Sequence, residues 1–433
     1  MTEIKQNEQR TPLRLNAITE EFDFQKESAD PFRIMSDVFG GYKNGPLILA
    51  LGRVGGNGAS SKAMGILEQL ASDNVPFQVV AMKKYLADNP LIADYLKKNS
   101  ISPSVIDDSS VDTLPQLYKR CEEVVIQITN EGSVSGILSL GPRTFYPETA
   151  RRVGIPAMII DGAVPDTWSN TVDVESGYPD TAYSQKAYEY ATYTTTCGFT
   201  GWAPPKNTYP EGMDLRVVQQ PFSDQKIGYL RELRNIQPSE ARSKLLRKGT
   251  IRGLDENSLI VVPTMDQVYV NPEALASRGG FMTQEQFGQA YSFMAETIAV
   301  AAQIGVETGE RISVYIRPGV IATMMQPILS QYAEYISILA PTNGIVANED
   351  WLLLRKAGVT IGRAPLCVST AEALGMNDLQ VTAAVPGSTT DGVSYMTEAE
   401  GLRALNRKGV SRIYFPGDSL RDAINEVRKI KGI

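Results

Sequence analysis

The sequence predicts an α/β protein made of two Rossmann-like parallel-sheet domains facing a cleft, and three observations carry that prediction. Short apolar runs alternate with helical patterns, the signature of strands joined by helical crossovers. The alternation lapses between about Ala163 and Ser258 and then resumes, giving two halves of similar size in a chain of 433 residues. That length against roughly 100–200 residues per domain also suggests two domains. Finally, the apolar run LILAL stops at Gly52 in a turn with four glycines, GRVGGNG, and a helical pattern follows. Strand, glycine turn and helix are the opening of such a sheet.

Residues 1–45 are polar, end in GGYKNGP and read as a leader segment. The N-terminal domain, 46–225, follows with a strand at 47–52, a helix at 60–74 and a strand at 77–82. A helical stretch at 84–99 is broken at Pro90, then come a short strand at 104–108 and a helix at 112–131 with Asp112 as N-cap. A strand at 136–142, a short helix at 146–154 and a strand at 156–161 complete the regular part. An aromatic insertion occupies roughly 163–215, with YATYTTTC and LRVVQQPF as further strands. Residues 226–257 read as a linker carrying one helix, PSEARSKLLRKG.

The C-terminal domain, 258–417, repeats the pattern with a strand at 258–264, a strand plus turn at 311–319, a strand at the end of MMQPILSQYAEYISILAP, a strand and turn at 359–365, and strands at 379–387 and 411–415. Helices are predicted at 284–305, at the start of MMQPILSQYAEYISILAP, at 348–358 ending on Gly358, at 369–375 and at 397–409. A closing helix, 418–432, has Asp418 as its N-cap and Lys and Arg in its last turn.

Composition narrows the chemistry. The net charge is −7 with no dense basic block, so nucleic acid is not an expected partner. Cys121, Cys197 and Cys367 are far apart, which fits neither a disulfide framework nor a zinc site and does fit a reducing compartment. The polar start has no apolar signal region, and no run of about 18 apolar residues predicts a membrane span, so a cytoplasmic protein is expected. The chain contains 0 His. Ser-His-Asp and Cys-His catalysis, H-E-x-x-H metal sites and a histidine base are therefore excluded, leaving Asp, Glu, Lys, Tyr, Cys, Ser or a substrate group to carry protons.

Ligands of open parallel sheets bind beyond the carboxyl ends of the strands, so the loops after strands hold the site candidates. The glycine turn with Gly55, Gly56, Asn57 and Gly58 lacks the G-x-G-x-x-G register and the Walker register. It is either a tight strand-to-helix turn or a turn whose backbone N–H groups face an anion or a hydroxyl-rich ligand. In RAPLCVSTAEALG, Ser369 and Glu372 have capping-box spacing. The same residues could serve a ligand, with free amides and the Ser369 and Thr370 hydroxyls on a diphosphate and Glu372 on ribose hydroxyls. Asp161 ends the strand PAMIID; it is either a turn residue before Gly162 or a proton acceptor at a strand's carboxyl edge.

The stretch Ile361–Gly409, IGRAPLCVSTAEALG through LQVTAAVPGSTTDGVSYMTEAEGLRALNRKG, resembles the donor half of GT-B glycosyltransferases, most closely the MurG-like and UDP-glucuronosyltransferase-like branch. LALGRVGGNGASSKAMGILEQL and ARRVGIPAMIID resemble the opening strand and a later strand of that fold's first half. The resemblance implies a metal-independent, inverting transfer of a sugar from a nucleotide-diphosphate donor, such as a UDP-sugar. That donor would be a co-substrate, with no further cofactor and no metal, and the acceptor would be a small molecule or glycan held by the N-terminal domain. It implies that Ser369 and Thr370 meet the diphosphate, Glu372 the ribose, and Asp391 and Glu398 the donor sugar. Thr264 and Arg317 would lie near the phosphates, though Arg317 reads more readily as a surface arginine. The family's sugar loop often carries a Gln or Asp-Gln pair; here the letters are DGVSYMTEAE.

The same resemblance implies a histidine base in or near the first glycine loop, where this chain has Asn57, and an amide cannot take up a proton. Asp161 is the leading substitute, followed by Asp166 and Glu148. The aromatic segment Trp168, Tyr178, Tyr183, Tyr188, Tyr190, Tyr193, Trp202 and Tyr209 reads as an acceptor-binding insertion or as a packed irregular subdomain or oligomer contact. Two other activities fit the pattern: a nucleotide-sugar 2-epimerase of the same fold, with acid/base carboxylates in both halves, and a non-catalytic two-lobed binding protein.

Overall fold

A computed structural model of the chain describes residues 13, 29–51, 57–108, 114–140, 145–161, 190–195, 214–263, 284–316, 320–342, 346–363, 367–383, 409–414 and 417–433. These fall into two compact units, one holding described residues up to Ile227 from Ala29, the other holding those from Gly228 onward together with Leu13.

The first unit is a seven-stranded sheet of β1 (Leu47–Ala50), β2 (Phe77–Met82), β3 (Ser104–Ile106), β4 (Gly136–Leu140), β5 (Ala157–Asp161), β6 (Thr192–Thr195) and β7 (Leu215–Val217). Its order is β3-β2-β1-β4-β5-β6-β7 and every pair is parallel, with Leu47 beside both Phe77 and Gly136. β1 and β4 are buried along their whole length, as continuous apolar runs must be when helices cover both faces. The order reverses between β1 and β4, so the crevice lies beyond their carboxyl ends.

The expected leader contributes to this core. Helix α1 (Pro31–Val38) starts with Asp30 accepting from the Phe32 amide at 3.0 Å and Pro31 in its first turn, and it buries Ile34 and Met35. Ala29 bridges in parallel to Val218, just beyond β7. The connecting helices are α2 (Asn57–Ser72), α3 (Lys83–Asp88), α4 (Pro90–Lys98), α5 (Leu114–Glu131) and α6 (Phe145–Val153). The break at Pro90 falls where the sequence places it. Asp112, expected to cap α5, lies outside the described residues.

The second unit holds β8 (Ile251–Arg252), β9 (Leu259–Pro263), β10 (Ile312–Tyr315), β11 (Ile336–Pro341), β12 (Val359–Arg363), β13 (Gln380–Ala383) and β14 (Ser411–Tyr414), in the order β14-β13-β12-β9-β10-β11-β8. All neighbours are parallel except β8, which pairs antiparallel to β11 at the edge. The reversal lies between β9 and β12, whose paired ends include Pro263 beside Ile361. The helices are α7 (Asp224–Asn235), which begins in the first unit, and α8 (Pro238–Lys248), α9 (Gln284–Thr308), α10 (Val320–Gln331), α11 (Asn348–Ala357), α12 (Cys367–Met376) and α13 (Leu420–Lys431).

Two local expectations are corrected and one is met. Residues 226–257 hold two helices and an edge strand where one helix was expected, and α8 packs along α11. The closing helix is capped by Ser419, whose hydroxyl accepts from the Asp422 amide at 3.2 Å, and not by Asp418. Gly358 ends α11 as the sequence predicts, with an extended backbone (φ −121°). Glycine is required there by packing, since a Cβ would stand 2.5 Å from the carbonyl oxygen of Ile260. The expected helix at 397–409 lies outside the described residues.

Candidate active site

In the first unit, the site candidates gather around the carboxyl ends of β1 and β5. Asn57 and Gly58 belong to the first turn of α2, which starts earlier than the periodicity suggests; Gly55 and Gly56 lie outside the described residues. Asp161 is the last residue of β5, paired with Thr195 of β6. β5 is two strands from β1, a spacing of about 10 Å across the sheet.

The face of α2 that follows Asn57 is clamped by the stretch leading into α7. Lys226 Nζ donates to Ser61 Oγ at 2.6 Å and sits 4.5 Å from the centre of the Phe222 ring. Gly65 lets the backbone of Pro221 approach: a Cβ there would fall 1.9 Å from its carbonyl oxygen. One turn further, Ser223 donates to the Glu68 carboxylate, and the Asp224 amide donates to Gln69 Oε1 at 3.2 Å. Residues 61, 65, 68 and 69 form one helical stripe, so α2 is fixed along most of its length. Ser60, also near its start, donates to Asn89 Oδ1.

Glu148, one of the carboxylates ranked after Asp161 as a base, is buried in the first turn of α6. Arg151 donates to both of its oxygens, at 3.0 and 2.6 Å, and Arg152 adds a third bond at 3.2 Å. Burial pushes its pKa up, but the hydrogen bonds and charges of the two arginines outweigh burial and hold it below the ordinary 4.5. Such a carboxylate is a poorer proton acceptor than an unpaired one. Asp166 lies outside the described residues.

In the second unit, α12 begins four residues after Arg363 ends β12, beside the point where the strand order reverses. Ser369 and Thr370 are its third and fourth residues, so Ser369 is inside the helix and not at its cap. Glu372 is buried, and its Oε2 accepts from Arg355 Nη1 of α11 at 2.9 Å. Thr264 directly follows β9 and Arg317 lies two residues beyond β10; both are outside the described residues, as are Asp391 and Glu398. The strands before Thr264 and Arg317 are the next two after β12 in the sheet.

Of the aromatic segment, Tyr193 lies in β6 and Tyr190 donates to the Ile155 carbonyl at 2.9 Å; the other six members are outside the described residues. The residues that periodicity did not single out are the buried charges Arg355, Asp378 and Lys431 and the lysine on Ser61, Lys226. The one visible signal was a basic pair, Arg355-Lys356, set into the apolar run WLLLRKA. Among the described residues no group of three or more His, Cys, Asp or Glu could hold a metal ion, and no helix is long and apolar enough to cross a membrane.

No family model and no curated protein matches the chain. Solved structures do. A glycosyltransferase from Rickettsia africae aligns with TM-score 0.52 at 10% identity over 90% of this chain and 92% of its own. A UDP-glucose: anthocyanidin 3-O-glucosyltransferase in complex with UDP aligns with TM-score 0.51 at 12% identity over 90% and 92%. The UDP-GlcNAc 2-epimerase of Methanocaldococcus jannaschii aligns with TM-score 0.50 at 11% identity over 90% and 91%. The chain therefore has the fold of the GT-B glycosyltransferases, two Rossmann-like units with parallel sheets, as the stretch 361–409 led one to expect. Solved proteins of that fold include both glycosyltransferases and a UDP-GlcNAc 2-epimerase.

Proposed function

We propose that the protein is a glycosyltransferase that moves a sugar from a nucleotide-diphosphate donor, a UDP-sugar in the first instance, to a small-molecule or glycan acceptor. The observation that carries this reading is the start of α12 at the reversal of strand order in the second sheet. Amides at a helix start are unpaired within the helix and carry the positive end of its dipole, which suits a diphosphate. Ser369 and Thr370 in that turn would add hydroxyl donors, with Thr264 and Arg317 following the neighbouring strands. Asp391 and Glu398 would meet the donor sugar.

In this reading the main catalytic contribution is stabilisation of the leaving diphosphate by fixed donors and not by a metal. The acceptor lies on the first unit, by the glycine turn and Asn57, and Asp161 takes the acceptor proton as the sugar transfers with inversion. Asn57 orients the acceptor by hydrogen bonding, since its amide cannot act as the base.

A thermal-shift panel of UDP-, TDP-, GDP- and ADP-sugars tests the reading: at least one should raise Tm, and no shift with any would count against it. The likeness to an archaeal UDP-GlcNAc 2-epimerase supports a second reading, epimerisation of the donor sugar. Incubation with UDP-GlcNAc in the absence of acceptor separates the two. Formation of the 2-epimer supports the second reading, and release of UDP only when an acceptor is added supports the first.

A further inference from the structure

Behind the first turn of α12 lies a cluster of buried charges that no local pattern in the sequence brings together. Arg355, Glu372, Asp378 and Lys431 are 0%, 3%, 0% and 6% exposed. Arg355 reaches Glu372 with Nη1 at 2.9 Å, Asp378 Oδ2 with Nε at 3.3 Å and Gln380 Oε1 with Nη2 at 3.4 Å. Lys431 Nζ donates to Asp378 Oδ1 at 3.0 Å and to the carbonyls of Arg355 and Gly358 at 3.1 and 2.6 Å. Thr360 Oγ1 adds a bond to Asp378 Oδ2 at 3.2 Å. One connected set of charges thus joins α11, α12, the turn after α12, β12, β13 and α13.

Charges this deep are tolerated only with their partners in place, and removing one partner strands the other. The set therefore has one low-energy arrangement, and that arrangement holds α12 at Glu372 in its middle and at Asp378 just past its end. Glu372 is two residues beyond Thr370, about 3 Å further along the helix axis. Fixing it fixes the backbone amides of the first turn.

We infer that Glu372 is a positioning residue, which with Arg355 and the Asp378–Lys431 pair sets the pose of α12 and does not itself touch the donor ribose. The inference rests on the glycosyltransferase reading, because that reading makes the first turn of α12 the diphosphate site. It replaces the ribose contact that the family resemblance implied for Glu372.

The test is calorimetric titration of UDP and 2′-deoxy-UDP into wild type, Glu372→Gln, Arg355→Met and the double variant Arg355→Met/Glu372→Met, with the ligand-free Tm of each. A positioning role predicts that either single variant lowers ligand-free Tm by roughly 5–10 °C. It also predicts that each weakens UDP and 2′-deoxy-UDP by the same factor, about tenfold, with their ratio as in wild type. The double variant, which buries no stranded charge at this pair, should recover most of both losses. The inference is overturned if Glu372→Gln keeps the wild-type Tm and loses UDP affinity alone, or if the double variant is no better than the singles. A wild-type chain that binds no nucleoside diphosphate overturns the glycosyltransferase reading, and this role with it; the other two outcomes leave that reading standing.

Discussion

Two buried ionisable groups make the residue scale measurable through pH. At Glu148 the folded-state pKa is depressed: burial raises it, but the bonds and charges of Arg151 and Arg152 prevail. Its contribution to stability is present above the unfolded value, near 4.5, and is lost as pH falls through the lower folded value. Glu148→Gln should therefore flatten the acid limb of the Tm profile below about pH 5. An unchanged acid limb would show that the arginines do not hold that carboxylate. Lys356 is lowered as well, to about 8, by burial first and then by the charge of Lys431, but for a base this acts on stability with the opposite sign. Between about 8 and the ordinary 10.5 the unfolded chain binds more protons than the folded one, so stability from this group rises with pH in that window. Lys356→Met should remove that rise, measured as Tm from pH 8 to 10.5 against wild type; a rise as steep as before would contradict it. The Glu148 set is legible in the letters, since Arg151 and Arg152 follow at i+3 and i+4 in a predicted helix, whereas the Lys356 set is not. Lys356 and Lys431 lie far apart in the sequence, and only the packed sheet brings their charges together.

At the scale of elements, α2 and α7 offer a matched pair of glycines. Gly65 of α2 faces the backbone of Pro221, so Gly65→Ala forces the chain to move and should cost about 1–3 kcal/mol in a denaturant titration. Gly228 of α7 is exposed, and a Cβ added there would meet nothing within 4 Å, so Gly228→Ala should stabilise by about 0.5–1 kcal/mol. Equal effects at the two positions would contradict the close approach that clamps α2. The sequence places Gly65 in a helix and Gly228 in the linker; the difference in cost lies in what packs against them. Element boundaries misled for the same kind of reason. Asp418 and Ser419 are both good N-caps, and only the observed bond from the Asp422 amide chooses Ser419. Strand β8 has two residues and is defined by its pairing with β11, which no local pattern reveals. Helix α1 did carry a signal, an Asp-Pro start followed by Ile34, Met35 and Val38, but the polar residues around it masked the apolar stripe.

At the scale of the whole molecule, the alternation of strands and helices was enough to specify two parallel sheets, because a buried strand and an amphipathic crossover leave distinct periodicities. The order of strands, and with it the two reversal points, is narrowed further by the rule of right-handed crossovers once the elements are known. The site was legible only as loops after strands. Periodicity does not say which way a loop residue faces; the ribose role for Glu372 came from the family resemblance, and the ion pair with Arg355 across two helices had no local signal. Asp161 remains the proposed base, and Asp161→Asn should lower turnover far more than donor affinity. Equal loss of both, or no loss of turnover, would remove it from that role. The central claim is that the first turn of α12 binds a nucleoside diphosphate, and titration calorimetry of UDP and uridine into wild type and Ser369→Ala/Thr370→Ala tests it most directly. The account predicts that wild type binds UDP at least about tenfold more tightly than uridine, and that the double variant loses most of that difference with its Tm unchanged. Saturable binding that ignores the diphosphate, or that the double variant leaves intact, would contradict it.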